Sequence, residues 1–373
     1  MNWRLLAIPA SIVPLILMLL FTHISPEDIF AVGAIPFVIS CLSVMGRIML
    51  QAFRFKYFIR EFIGRDISST TDTISARLAG EFVTQTTPSY VGGELVRIAW
   101  LTRKGVPAGK AAWLATMEII ADVLVGTTLG FLAGAVAIYN GASFIGIIVI
   151  LIAIPTFVFW LVLIIFSAKY TLRLPSFSLA LVQKFVAKER ADRIVNSVND
   201  AIADLCKMSR DNFNSAKSIK TFAIGIAITF VAFIFQGLSF MVLANAVGSD
   251  IGLFDSLMAT SASTVLATLP ITIGGSGLAE LGLWAYVSDL NSIPDLDDVL
   301  KDSQLSVVIV WRIASYHVPL VIMWIALMKT IGKAPFRNTR TSPYLASGKE
   351  DNDISSVSPY DQNTKVDRSD NSE

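Results

Sequence analysis

Of the 373 residues of the chain, 54% are hydrophobic and 16% are charged, whereas soluble globular proteins carry about 25% charged residues, so the composition argues against a water-soluble protein. The 30 Lys and Arg residues nearly balance the 29 Asp and Glu residues, which leaves no basic excess for binding nucleic acid. With two Cys and two His residues in the chain, we expect no disulfide framework, no metal site and no cofactor.

Long apolar runs predict an all-α polytopic membrane protein with six full spans. A span needs about 20 mostly apolar residues. The runs that meet this length are 5–22, 29–50, two within 106–168 that meet at Asn140 and Gly141, 221–247 and 306–328. The first run follows Arg4, as in a signal peptide, but we interpret it as a span because no small-residue cleavage site comes after it.

The distribution of Lys and Arg predicts which loops face the cytoplasm. Three connections contain no Lys or Arg: 23–28, 140–143 and 248–253. The predicted loops 51–65, which includes Arg54, and 169–220 are basic. We therefore expect a multi-pass protein of the cell membrane with both termini in the cytoplasm.

Two segments outside the spans have their own composition. In 178–206, apolar residues recur at helical spacing with charges between them, which predicts an amphipathic helical hairpin on the cytoplasmic membrane surface within 169–220. The alternative is that 169–220 binds a separate glycosyltransferase or synthase. The polar sequence 341–373 predicts a disordered cytoplasmic tail.

Two further apolar stretches are interrupted by Pro and Gly, and we predict that both are re-entrant hairpins. The stretches 71–102 and 253–287 share the motif T-x-P-x-x-[V/I]-G-G, which begins at Thr86 and again 182 residues later at Thr268. The residues predicted to break the helices are Pro88, Gly92 and Gly93 in the first stretch and Pro270, Gly274, Gly275 and Gly277 in the second.

The predicted topology makes the two hairpins opposite in orientation. The halves 1–140 and 141–335 would each contain two spans, a hairpin and a third span, in an inverted repeat. Paired broken helices in such repeats are typical of transporter sites, where unwound backbone lines a cavity. The helix after each Gly pair would present N–H groups to an anion. The alternative is that Gly and Pro only permit close helix packing.

Charged residues within the apolar runs are the candidate site. Glu118 and Asp122 are four residues apart and share a helix face. Because a carboxylate at mid-membrane costs at least about 2.5 kcal/mol, both should face a cavity or a partner. Arg97 and Arg312 are the candidate cations between them and suit a phosphate ligand. The alternative is a purely structural ion-pair network that also includes Glu280.

Two pairs of charged residues and one single Arg have local interpretations. Glu94 and Arg97 are three residues apart, and Arg77 and Glu81 are four residues apart, so each pair can form on its own helix. Arg47 lies near the end of the predicted span 29–50, and we expect its side chain to extend to the membrane interface.

These motifs resemble the membrane domain of lysylphosphatidylglycerol synthases, including the flippase portion of the multiple peptide resistance factor, and stand-alone flippase-like proteins of bacteria and archaea. The resemblance covers about residues 1–335 and depends on four motifs, P-x-x-x-x-G-E-x-x-R from Pro88 to Arg97, E-x-x-x-D from Glu118 to Asp122, the Gly-rich run from Pro270 to Glu280, and R-x-x-x-Y from Arg312 to Tyr316. The residues that it implies for a substrate site are Glu94, Arg97, Glu118, Asp122, Glu280, Arg312 and Tyr316.

The chain departs from the family pattern at three positions. Ile119, Ile273 and Ala279 stand where the family has Arg, Pro and Arg, which makes the implied headgroup site less basic. The polar residues after the last span are too few for the soluble aminoacyl-transfer domain, so we do not expect synthase activity.

We therefore predict a flippase-like transporter that moves an anionic lipid, either a phospholipid or a polyprenyl-phosphate-linked headgroup, across the membrane. Its expected partners are membrane lipids. The alternative is a membrane enzyme or accessory subunit in lipid-linked glycan or phospholipid modification, with Glu118, Asp122 or Glu280 as acid or base.

Overall fold

All regular structure in the described part of this computed structural model is helical, which confirms the predicted all-α class. The described residues are 27, 31–64, 66–87, 92–170, 173–184, 187–213, 215–269, 271–272, 274–289 and 304–332. The helices are α1 Ala34–Ile63, α2 Thr70–Gln85, α3 Gly93–Arg103, α4 Ala108–Tyr139, α5 Ser143–Lys169, α6 Ser176–Gln183, α7 Lys188–Phe213, α8 Ala216–Ala246, α9 Leu253–Ala267, α10 Leu278–Val287, α11 Gln304–Arg312 and α12 Val318–Gly332. A π-helical turn, Ile313–His317, joins α11 to α12.

Five described helices are long and apolar enough to cross a membrane: α1, α4, α5, α8 and the continuous helix from α11 into α12. They correspond to five of the predicted spans, and the chain turns between α4 and α5 at Asn140 and Gly141 as predicted. Gly141 has a φ of 98° there, which favours glycine. The run 5–22 lies outside the described residues, so the count of six spans stays a prediction.

The predicted basic loop 51–65 is wrong over most of its length, because α1 continues to Ile63. Basic residues interrupt the apolar run here, but Lys and Arg are good helix formers and do not end a helix. Phe55 and Phe58 of this extension are fully buried. The helix ends at Gly64, whose φ is 79° and whose N–H donates to the Arg60 carbonyl at 3.0 Å.

Each predicted broken stretch forms two short helices, one on either side of an interruption. In the first helix pair, α2 and α3, the Lys104 ammonium lies 2.7 Å from the Asp72 carboxylate, and Gly80 packs against Gly93 near the opposite ends. These two contacts show that α2 and α3 are antiparallel. In the second helix pair, α9 and α10, the Ser263 hydroxyl donates to the Ala279 carbonyl at 2.7 Å.

The predicted helices within 169–220 are present as α6 and α7. Helix α7 packs against α4, α5 and α8. The Ser167 and Ser209 hydroxyls are 3.3 Å apart, and Gly109 lies against the Asp204 side chain. The segment therefore packs onto three of the spanning helices, while its position at a membrane surface stays a prediction. The predicted tail 341–373 lies outside the described residues.

The outer surface of α5 is apolar. Leu151 is 66% exposed and Phe159 is 61% exposed, and large apolar side chains in such number on one helix indicate contact with lipid. The opposite side of α5 packs on α4, where Gly134 and Gly146 bring the two backbones together. Small residues at such crossings are typical of membrane helix packing.

Candidate functional site

A cavity of about 560 Å³ lies inside the helical bundle. Its walls come from α1, α2, α3, α4, α5, α8, α9, α10, α11 and the π-helical turn. The lining is mostly apolar but includes several charged side chains. Small-molecule sites occupy about 300–1,000 Å³ and combine apolar walls with a few polar groups, so this cavity has the size and character of a binding site.

Glu118 is the centre of the charged wall beside this cavity. Its side chain is fully buried and lies near three guanidinium groups, 3.4 Å from Arg54, 3.5 Å from Arg77 and 3.2 Å from Arg97. These cations belong to α1, α2 and α3, whereas Glu118 belongs to α4. One carboxylate therefore connects four helices through charge.

Arg54 is the cation between the two predicted carboxylates. It is fully buried and donates to both Asp122 carboxylate oxygens, at 2.6 and 2.9 Å, and to the Thr229 hydroxyl. The prediction named Arg97 and Arg312 for this position. Arg97 reaches Glu118, but Arg312 pairs elsewhere.

Sequence reasoning missed Arg54 because it assigned this residue to a loop. The sequence nevertheless contains a pattern that indicates a helix through Arg54, since polar residues recur every three or four positions along one face of α1. The residues of this face are Ser40, Ser43, Arg47, Gln51 and Arg54. A polar stripe on an apolar helix indicates contact with buried polar groups, and here it lies against α4 and α8.

Arg47 also lies in a different place from the one predicted. It lines the cavity, and α1 continues beyond it to Ile63, so the expectation that Arg47 extends to the interface at the end of a span is wrong. Among the described residues, no carboxylate lies within 4 Å of its guanidinium, and its Nε has no hydrogen-bond partner. Arg47 is thus a cavity cation without a described ion pair.

Glu118 and Asp122 have different environments although they share a helix face. The Glu118 side chain has no exposed surface, whereas 31% of the Asp122 side chain is exposed and lines the cavity. Asp122 therefore forms part of the cavity surface, and Glu118 lies behind it in the wall.

The first break separates α2 from α3. Gly92 has a φ of 121°, and its N–H donates to the Glu94 carboxylate at 2.7 Å. Glu94 also lies 3.6 Å from Arg97, and Arg77 contacts Glu81, so both predicted local pairs are present. Pro88 lies outside the described residues.

The second break, between α9 and α10, ends in the same way. Gly274, Gly275 and Gly277 have φ values of 58°, 64° and 87°. The Gly277 N–H donates to the Glu280 carboxylate at 2.7 Å. A carboxylate of the protein therefore caps the helix that follows each break. Pro270 lies outside the described residues.

The two breaks meet, and the last helix joins them. Arg312 donates to the Gly274 carbonyl at 2.5 Å and pairs with Glu280 at 2.8 Å. The Tyr316 hydroxyl donates to the Gln85 carbonyl, at the end of α2, at 2.8 Å. The Arg312 guanidinium also lies 4.1 Å from the centre of the Tyr316 ring. The predicted motif R-x-x-x-Y thus contacts both breaks.

The site contains equal numbers of positively and negatively charged side chains. The cations are Arg47, Arg54, Arg77, Arg97 and Arg312, and the carboxylates are Glu81, Glu94, Glu118, Asp122 and Glu280. Because the formal charges of these ten groups cancel, the group as a whole does not require a counter-ion, and a ligand would be recognised by single groups rather than by net charge.

This fold and cavity define a multi-pass helical membrane protein with a polar site inside the bundle. The chain belongs to the family described as the lysylphosphatidylglycerol synthase TM region, whose model matches residues 6–322. It is also similar to a UPF0104 membrane protein of Archaeoglobus fulgidus, with 24% identity over 294 residues that cover 77% of this chain and 84% of that protein. The family match confirms the resemblance indicated by the four motifs.

Proposed function

We propose that the protein moves the headgroup of an anionic lipid across the membrane through the cavity, while the lipid tail stays in the bilayer. The observation that supports this most is that the two broken helix pairs meet at a cavity with charged walls inside an apolar bundle. Non-helical backbone at membrane depth is tolerated only where it is buried in protein or lines a cavity.

The transport proposal includes a topology. The first helix pair enters and leaves the membrane from the cytoplasm, the second helix pair does so from outside, and the two halves of the chain form an inverted repeat. Similar caps after both breaks, Glu94 on Gly92 and Glu280 on Gly277, support a common origin for the two pairs. Inverted repeats of this kind suit alternating access around a central site.

Arg47 is the group that we assign to the anionic part of the headgroup. The other cations of the cavity wall, Arg77, Arg97 and Arg312, each pair with a carboxylate of the protein. Arg47 lines the same cavity and has no such pair among the described residues. Arg also presents planar donors that suit a phosphate group.

Reconstitution tests the transport proposal. The purified protein is placed in vesicles that contain fluorescently labelled phosphatidylglycerol, and a membrane-impermeant quencher reports the label that reaches the outer leaflet. We expect faster exchange than in protein-free vesicles. Arg47→Gln should slow the exchange strongly, whereas Arg103→Gln, at the exposed end of α3, should not.

Two results would contradict the proposal. Folded protein that moves no labelled headgroup across several anionic lipid classes would exclude a flippase. If the Arg47→Gln protein moves lipid as fast as the unmodified protein, Arg47 does not hold the headgroup. Elution of each variant as a single species from size-exclusion chromatography serves as the control for folding.

A further inference from the structure

Three glutamines line the same cavity, and each is at least nine-tenths buried. The exposed fractions are 4% for Gln51, 7% for Gln85 and 5% for Gln236. They belong to α1, α2 and α8, so they lie on three different walls. Buried amides in an apolar bundle are costly unless their polar atoms are satisfied.

The hydrogen bonds of these residues fix the orientation of each amide. Gln51 and Gln85 donate through Nε2 to the carboxylates of Asp122 and Glu81, at 3.4 and 3.2 Å, and a carboxylate only accepts. Gln236 donates to the Thr264 hydroxyl at 3.0 Å, and that hydroxyl already donates to the Thr260 carbonyl at 2.8 Å.

Each amide nitrogen therefore donates a hydrogen bond, whereas each amide oxygen accepts none from the described residues. The Oε1 atoms of Gln51, Gln85 and Gln236 have no hydrogen-bond partner among the described residues. Three neutral acceptors thus need donors that the described protein does not supply. These oxygens have no exposed surface in the wall, so a ligand donor reaches them only when the amide turns about its last side-chain bond, whose angle is broadly distributed.

The carboxylates of the cavity wall, unlike the three amide oxygens, already have partners within the protein. Glu81 contacts Arg77, Glu94 lies 3.6 Å from Arg97, and Asp122 accepts two hydrogen bonds from Arg54. A ligand ammonium would need an unpaired counter-charge when it leaves water. The unmatched acceptors are uncharged amides, which suit hydroxyl donors.

We infer that the cavity binds a phosphodiester headgroup with several uncharged hydroxyl groups, as in a glycosyl or polyol phosphate. The phosphate lies at Arg47, and the hydroxyls donate to the amide oxygens of Gln51, Gln85 and Gln236. This inference rests on the proposed function and names its substrate class. The cavity of about 560 Å³ has room for such a headgroup.

Binding of short-chain lipids to the purified full-length protein in detergent tests the inference without any transport step. The probes are dioctanoyl phosphatidylinositol, which carries hydroxyls, phosphatidylethanol, which carries the phosphodiester alone, and phosphatidylethanolamine, which adds an ammonium. We expect phosphatidylinositol to bind roughly tenfold more tightly than phosphatidylethanol, because a few net hydrogen bonds account for that factor. Equal affinity for these two lipids, or tightest binding of phosphatidylethanolamine, would overturn the inference.

Substitutions test whether the cavity glutamines account for the preference for phosphatidylinositol. Gln85→Leu and Gln236→Leu should each weaken phosphatidylinositol about twofold, as one third of a roughly tenfold preference, and leave phosphatidylethanol unchanged, whereas Arg47→Gln should weaken both lipids. Gln183→Leu, on α6 and outside the cavity lining, is the matched control. A glutamine variant that weakens both lipids equally would count against hydroxyl recognition. If a Leu variant does not fold, the lipid comparison on the unmodified protein still decides.

The outcomes separate this inference from the transport proposal. If the protein prefers phosphatidylinositol in detergent but moves no lipid in vesicles, transport is wrong and the headgroup class stands. If the two lipids bind equally tightly in detergent but labelled phosphatidylinositol crosses the membrane faster than in protein-free vesicles, transport stands and the headgroup class is overturned.

Discussion

The two broken helix pairs contact each other but are held by different interactions. The first pair, α2 and α3, carries Arg77, Glu81, Glu94 and Arg97 and is tied to α4 through Glu118. In the described part of the second pair, α9 and α10, the side-chain contacts include an ion pair between Glu280 and Arg312 and hydroxyl bonds such as Ser263 to the Ala279 carbonyl.

This difference shows that similar backbone breaks can be stabilised in two ways. Removing one partner of a buried ion pair leaves an uncompensated charge, which is costly. Removing a hydroxyl or a small apolar contact costs much less. Loss of a buried group should therefore destabilise the first helix pair more than the second. Two matched substitutions test that contrast, a third variant tests the link between the pairs, and a fourth tests an exposed ion pair of the first, in order of expected size.

Glu118→Gln should have the largest effect. The substitution removes the carboxylate that Arg54, Arg77 and Arg97 share, and we expect a loss of about 3–5 kcal/mol in the free energy of unfolding. Denaturation of the purified protein in detergent measures this loss. Glu280→Gln is the matched change in the second pair, where one Arg is affected, and an equal or larger loss for Glu280→Gln would contradict the contrast.

Gly93→Ala should cause the second-largest loss of stability, because the added Cβ would clash with the Gly80 carbonyl oxygen and the Thr84 hydroxyl. Overpacking of this kind costs about 1–3 kcal/mol. In the second pair, a Cβ on Gly282 would lie 3.2 Å from the Leu266 side chain and 3.3 Å from the Ser263 Cα, which is a much milder contact, and Ala is favoured over Gly in helices by about 1 kcal/mol, which offsets it. Gly282→Ala should thus be nearly neutral, and similar melting temperatures for the two variants would refute the prediction.

Tyr316→Phe tests the link between the two pairs. The change removes the hydrogen bond from Tyr316 to the Gln85 carbonyl, which contributes about 1 kcal/mol. Hydrogen exchange should rise at the C-terminal end of α2 more than elsewhere. Tyr139→Phe is the control, because Tyr139 is 90% exposed at the end of α4, and unchanged exchange at α2 in Tyr316→Phe would contradict the link.

Lys104→Met should have the smallest effect. Lys104 pairs with Asp72 at 2.7 Å across the ends of α2 and α3, but 36% and 30% of the two side chains are exposed. Such pairs contribute at most about 1 kcal/mol. High salt should remove the difference between variant and unmodified protein, and a melting difference that persists in 1 M salt, where the screening length is about 3 Å, would show that packing rather than charge is responsible.

Much of the fold could be predicted from apolar run length. The spans, the turn at Gly141 and the two interruptions follow from local sequence, because membrane helices need long apolar runs and glycine permits positive φ. The end of α1 could not be predicted in this way. Its last turns contain Arg54 and Arg60, and a charged helix end has the same composition as a basic loop.

The candidate site was only partly predictable, because its contacts join residues far apart in the chain. The sequence indicated that Glu118 and Asp122 need a cation, but Arg54 lies 64 and 68 residues from them. No local spacing distinguishes Arg54 from Arg97 or Arg312 as that partner. The roles of Arg47 and of the three cavity glutamines likewise depend on which helix faces turn inward, which requires the packed bundle.

The π-helical turn Ile313–His317 separates Arg312 from the rest of the last helix. A π turn contains one residue more than the α turn that it replaces. Elsewhere in a helix, loss of one residue rotates everything beyond it by about 100°, which would exchange lipid-facing and buried sides of α12. At this turn alone within the described part of the helix, a one-residue deletion can be absorbed by closing the turn to α geometry. The last helix therefore has a defined position at which its length can change without rotating its membrane-facing surface.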